Sequence, residues 1–153
     1  MSLFLAQQIY ATLFATNNKI QAVCDKEYKT LTLRQFMFLL AITHIPEGEC
    51  TFNTVAKQLG TSKQNIKQLV SVLVKKGYIL VEPSKVDKRA NNIRLTEEGM
   101  AEGVAYAEYG NKFLGHIAEQ FTTEELEQLW SLLKRVYAFD GVEMNGFDVH
   151  PGE

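Results

Sequence analysis

The sequence predicts a mainly α-helical protein carrying one small β-hairpin, and three observations lead there. Apolar residues recur at helical spacing through most of the chain. Ser or Thr followed three residues later by Glu or Gln, the pairing that satisfies the free backbone N–H groups of a helix start, occurs at Thr32–Gln35, Thr61–Gln64 and Thr122–Glu125. Tyr78–Val81 is β-branched and aromatic enough for a strand, and Asn92–Leu95 can pair back against it.

In chain order, the first helix runs from Leu3 to about Val23, with Leu5, Ile9, Leu13 and Ile20 on one side and Tyr10 and Phe14 beside them. So wide an apolar face on a terminal helix needs a cover, either the core of its own chain or a partner subunit. The Thr32 cap opens a second helix to about Thr43 that buries Phe36, Leu39 and Leu40. Ile45-Pro46-Glu47-Gly48 ends it, because proline cannot continue a helix and glycine admits the turn. Glu49 and Cys50 suit a short strand. The third helix starts near Thr51 or Phe52 and turns Val55, Ala56 and Leu59 inward. Gly60 then supplies a tight turn, and the cap at Thr61 starts the fourth helix at once, which forces a steep crossing. On the fourth helix Ile66, Leu69, Val70, Leu73 and Val74 face the core. Ser62, Lys63, Gln64, Asn65, Lys67, Gln68 and Ser71 face out.

Gly77 is the C-cap of that helix, and Pro83–Asn91 is a polar, basic loop between the two strands. Helix, turn, helix and hairpin make a winged helix-turn-helix over about residues 32–95. Thr96-Glu97-Glu98 opens a long helix to about Gln120, with acids at its positive end. Gly99, Gly103, Gly110 and Gly115 fall within it, each interior one costing about 1 kcal/mol against alanine. Either the helix bends there or another backbone comes close. The last helix, from Thr122, buries Leu126, Leu129, Leu133 and Val136, with Trp130 and Tyr137 alongside. Past Phe139 glycines and acids predict a flexible tail over about residues 140–153.

Length and composition fit one domain: 153 residues, 46% hydrophobic and 22% charged, suffice for one real core and not for two. The opening Met1–Lys19 lacks a signal peptide's basic start, unbroken apolar run and cleavage site. No window approaches the roughly 18 apolar residues a membrane span needs. Cys24 and Cys50 are too few for a disulfide framework, so a reducing cytoplasm is the expected home. The net charge of −2 conceals a segregation. From Lys57 to Arg94 nine Lys and Arg face only Glu82 and Asp87, a local balance of +7, while the rest of the chain carries −9. Screening limits electrostatic reach to roughly 8 Å at physiological salt, so a phosphate backbone feels the local balance. The pattern implies one DNA-facing surface on an acidic body.

Two stretches resemble a known family. Asp87 to Gly99, D-K-R-A-N-N-I-R-L-T-E-E-G, resembles the wing signature of MarR-type regulators. Upstream, V-A-K-Q-L-G-T-S (Val55–Ser62) followed by L-V-S-V-L-V-K-K-G-Y-I (Leu69–Ile79) looks like the helix-turn-helix of the same family at the expected distance. The order of helices agrees, so the resemblance covers nearly the whole chain, residues 1–153, as a single MarR-like domain. It implies a homodimer whose dimerisation helices, about 1–24 and 97–139, interleave and present two winged helices to a pseudo-palindromic operator. The fourth helix would read the major groove and the wing the adjacent minor groove. The DNA-binding candidates are then Ser62, Lys63, Gln64, Asn65, Lys67 and Gln68, with Lys88, Arg89 and Asn91 of the wing. Gln and Asn can pair with adenine edges, Lys with guanine, and an extended Arg fits a narrow, electronegative minor groove. By this carry-over Arg89 reads the minor groove, and Asp87 holds the wing or orients that arginine. Many members carry an arginine in the recognition helix; its absence here suggests less guanine readout.

The resemblance implies a transcription regulator, a repressor released by a small-molecule effector. The alternative is a winged helix used only for protein contact, which the exposed polar face, lacking an aromatic or aliphatic anchor, favours less. An enzyme finds no support, because no nucleophile and base, paired acids or phosphate loop stand at usable spacing. No cofactor is expected, and His44, His116 and His150 form no close ligand spacing. Cys24 and Cys50 are expected to be idle rather than oxidant sensors, since nothing basic is placed to lower either pKa. Tyr106, Tyr109 and Phe113 belong either to the core or to the wall of an effector cavity.

Overall fold

A computed structural model of the chain describes residues 2–85, 87, 89–144 and 147–148. Six helices and one hairpin follow in order: α1 (Leu3–Glu27), α2 (Leu33–Thr43), α3 (Phe52–Leu59), α4 (Lys63–Lys75), β1 (Ile79–Pro83), β2 (Asn91–Leu95), α5 (Glu97–Ala118) and α6 (Thr123–Tyr137). A single 3-10 turn, Ala138–Asp140, follows α6. The strands pair antiparallel, Ile79 opposite Leu95 and Pro83 opposite Asn91. The chain is thus mainly helical with a two-stranded wing, as its periodicities predict. Among the described residues no helix is long and apolar enough to cross a membrane.

The core sits in the winged helix. Phe38, Leu39, Ala41 and Ile42 of α2 meet Val55 and Ala56 of α3, Ile66, Val70 and Leu73 of α4, and Ile79 and Ile93 of the strands. Each large side chain buried this way contributes about 1.5–3 kcal/mol. The stripe expected on α2 needs correction: Phe38 is fully buried, whereas Phe36 and Leu40 are only half-buried. Helix α2 packs against α1, α3, α4, α5 and β2, so it buries more than one face and a single-stripe reading misplaces it. On α4 Val74 lies at the edge of the stripe and is 43% exposed, against the expectation that it faces inward.

Local signals set most boundaries. The Thr32 and Thr122 caps form as reciprocal boxes with Gln35 and Glu125, and Thr51 makes a further box with Thr54. The start of α4 differs from expectation. Thr61 spends its backbone N–H closing α3 onto the Ala56 carbonyl, so Ser62 becomes the N-cap and accepts from the Asn65 amide. Gly60 makes the turn at φ 61°. Gly77 at φ 76° closes α4, donating to the Val74 carbonyl while Tyr78 donates to that of Leu73. The strand expected at Glu49–Cys50 reduces to one bridge, Thr51 to Asn92.

The glycines of α5 divide. A Cβ on Gly99 would lie 2.0 Å from the Tyr78 carbonyl oxygen, so the close approach of the backbone just before β1 requires glycine there; Gly103, Gly110 and Gly115 face open space. No residue of α6 is buried, so the cover that Leu126, Leu129, Leu133 and Val136 call for is not supplied within one chain. Leu129, Trp130, Leu132 and Val136 stay exposed, as do Leu3, Phe4, Leu5, Ile9, Tyr10 and Phe14 of α1. Of the tail, Asn145, Gly146 and residues 149–153, with His150 among them, lie outside the described residues. Phe147 rests against the His44 ring at 5.5 Å and Asp148 lies 3.5 Å from Lys134 Nζ.

Candidate nucleic-acid interface

Helix α4 is held by its apolar stripe and leaves the opposite side in water. Ser62, Lys63, Gln64, Asn65, Lys67, Gln68 and Ser71 are all exposed, as the helical period predicts. Among the described residues no carboxylate lies within ion-pair distance of Lys63 or Lys67. Asn65 is partly committed to the turn, since its Nδ2 donates to Thr61 Oγ1 at 3.0 Å. The N-terminus of α4, with its unpaired amides and positive dipole end, adds to the attraction for phosphate.

The wing is shorter than its sequence suggests, because the strands extend to Pro83 and Asn91. Its loop closes on itself: Ser84 donates to the Ala90 carbonyl, and Ala90 to that of Asp87. Asp87 Oδ1 accepts the Arg89 amide at 2.9 Å, an Asx turn that sets the direction in which the arginine leaves the loop. Arg89 and Asn91 are exposed, and Lys88 lies outside the described residues. Two basic residues in the +7 count point elsewhere. Arg94 faces Glu82 across the hairpin at 3.6 Å, and Lys76 turns its ammonium inward to the Thr30 carbonyl and Gln35 Oε1.

The aromatic cluster resolves toward core. Tyr106 is 1% exposed, stacks on Phe36 at 4.3 Å and meets Tyr28 edge-on at 4.6 Å. Burial, then neighbouring Cys24 and Asp25, pushes its phenol well above the ordinary value. Burial, then the hydrogen bond to Glu27 at 2.8 Å, pushes Tyr109 up to about 12. Both phenols stay neutral at physiological pH. A larger space opens elsewhere, a cleft of about 650 Å³ between α1, α2 and α4, with Asn17, Gln21, Arg34, Asn65 and Gln68 in its walls. Nothing in the spacing of residues betrayed it, since it depends on how α1 crosses the helix-turn-helix. Both cysteines are buried and free, and burial raises the Cys50 thiol to about 11, away from reactivity.

Residues 29–90 match the sequence model of the MarR family. The winged helix of this chain is a MarR-family unit. With the hairpin, the exposed face of α4 and helices on either side, the chain has the build of a MarR-type transcriptional regulator. Among curated proteins the chain is 27% identical over 124 residues to the HTH-type transcriptional regulator PapX of Escherichia coli, covering 80% of this chain and 76% of PapX. The MepR–DNA complex of S. aureus has the same fold, with a TM-score of 0.75 at 23% identity, covering 84% of this chain and 96% of MepR. The organohalide-sensing regulator RdhR, solved with 2,4-dichlorophenol bound, also has it, with a TM-score of 0.75 at 21% identity over 88% of this chain and 80% of RdhR.

Proposed function

We propose that the chain is a homodimeric, sequence-specific regulator that represses from a pseudo-palindromic operator and is released by a small-molecule effector. In this reading Ser62, Lys63, Gln64, Asn65, Lys67 and Gln68 enter the major groove. Arg89, with Lys88 and Asn91, serves the minor groove, and Asp87 fixes the wing. The observation that carries it is the exposed polar and cationic row on α4, free of carboxylate partners among the described residues, beside a wing whose turn is tied down at Asp87. Dimerisation is supported by the apolar faces of α1 and α6, which one chain leaves uncovered. An effector is supported by the ligand-bound relative and by the cleft of about 650 Å³, a size typical of small-molecule sites. A cytoplasmic protein with this arrangement works by population shift: a ligand preferring a dimer with the wrong spacing of recognition helices weakens operator binding.

Selection of bound duplexes from a random DNA pool, at low and at physiological salt, tests it. The expected product is an inverted repeat with half-sites about one helical turn apart. No enrichment, with retention vanishing as salt rises, contradicts sequence-specific regulation and favours the alternative, a winged helix that contacts a protein. In that alternative Gln64→Ala and Arg89→Ala leave DNA retention unchanged.

A further inference from the structure

Lys76 sits at the C-cap of α4, 14 residues after Ser62. At about 1.5 Å per residue that places it roughly 20 Å from the turn that reads DNA. Its ammonium donates to the Thr30 carbonyl at 2.7 Å and to Gln35 Oε1 at 2.9 Å. Gln35 is buried, and the same Oε1 accepts the Thr32 amide at the start of α2. On the other side of the α1–α2 connection, the Thr30 hydroxyl and the Tyr28 hydroxyl both donate to one oxygen of Glu102 on α5, the latter at 3.1 Å. The end of α4, the start of α2 and the second turn of α5 thus converge on residues 28–32. Helix α5 packs mainly on α2 rather than along α4, so α4 is otherwise tied to it where Thr96 donates to the Gly77 carbonyl at 2.7 Å.

We infer that Lys76 and Glu102 are positioning residues, a clasp through Thr30 that fixes the angle of the recognition helix relative to α5 without touching DNA. Helix α5 leads from the wing toward the terminal helices, so the clasp makes the presentation of α4 depend on how those helices are set. Two simpler roles compete with this one. Lys76 could be one more phosphate-binding cation, or Glu102 one more surface acid. Each predicts effects governed by charge alone, and the clasp does not.

Glu102 offers the separating test, because glutamine keeps an oxygen acceptor where alanine has none, while both remove the same negative charge. The inference rests on the DNA-reading role proposed above, so one measurement uses DNA and the other does not. Amide hydrogen exchange on the full chain without DNA should show Lys76, Gly77 and Tyr78 exchanging about tenfold faster in Glu102→Ala and as in wild type in Glu102→Gln. Affinity for the duplex recovered by selection should fall about tenfold in Glu102→Ala and return in Glu102→Gln, with nonspecific DNA binding unchanged in both. Removal of a negative charge alone would tighten binding in both variants, and that result overturns the clasp. In the double variant Lys76→Met with Glu102→Ala, α4 exchange should accelerate no more than in the stronger single variant, since both break one linkage; additive effects overturn it. Unchanged exchange in Glu102→Ala also overturns it, whatever DNA binding does. Failure of the wild type to enrich any sequence refutes the proposed function, while the exchange data still decide the clasp.

Discussion

The winged helix and the terminal helices are built from similar proportions of apolar and polar residues and end in opposite states. In the first, Phe38, Leu39, Val55, Ile66, Leu73 and Ile79 are all buried within a single chain. In the second, α6 has no buried residue, and the first twelve residues of α1 are exposed on every side. Amphipathic patterning alone therefore says that a face wants a cover, not where the cover comes from. The winged helix is surrounded by its own chain, since α2 is packed by five other helical or strand neighbours. Helices α1 and α6 leave Leu5, Ile9, Leu129, Trp130 and Val136 exposed, the faces that the proposed dimer covers.

The sharpest way to test that contrast is one substitution in each region. Ile66→Ala, in the core under α4, should cost about 2–5 kcal/mol in urea unfolding, with the loss independent of protein concentration. Leu129→Asp, on the open face of α6, should cost about 2 kcal/mol or more of self-association and should lower the midpoint of thermal unfolding mainly at low concentration. Equal, concentration-independent losses for both would mean that α6 is covered within one chain. Within α5 the same contrast recurs at smaller scale. Gly99→Ala drives a methyl into the Tyr78 carbonyl and should destabilise by about 1–3 kcal/mol, whereas Gly103→Ala meets nothing and should stabilise by up to about 1 kcal/mol, both read by thermal unfolding. A penalty at Gly103 appearing only in the dimer would place partner backbone there. The smallest effect concerns Cys50, whose thiol burial raises to about 11. Its folded-state pKa exceeds the unfolded one, so its contribution is complete below the ordinary thiol range and is lost as pH rises toward 11. Alkylation of Cys50 by iodoacetamide near pH 8 should therefore require opening of the core, and labelling as fast as a free thiol would contradict the burial.

What the residues announced in advance was local. The caps at Thr32 and Thr122, the left-handed turns at Gly60 and Gly77, both strands and the exposed row on α4 depend on neighbours within a few positions, so spacing reveals them. What escaped depends on distant partners. Phe38 is buried and Phe36 only half so because α2 touches several elements. Thr61 loses the cap to Ser62 because α3 uses its N–H first. Charge counting treated Lys76 and Arg94 as members of one DNA-facing surface, yet one reaches the Thr30 carbonyl and the other faces Glu82. The exposed row on α4 is legible because exposure on a helix is periodic; the inward lysine is not, because a long flexible side chain can end several ångströms from where its Cβ points. The cleft between α1, α2 and α4 escaped for the same reason, being a property of how helices cross.

On the proposed function, one chain is complete at its DNA-reading end and incomplete at the other. Sedimentation equilibrium from nanomolar to micromolar concentration, with and without the duplex recovered by selection, tests this most directly. The predicted result is a reversible dimer that loads as two protomers on one inverted repeat, with dimerisation lost in Leu129→Asp. A stable monomer that binds the same duplex one to one would contradict it.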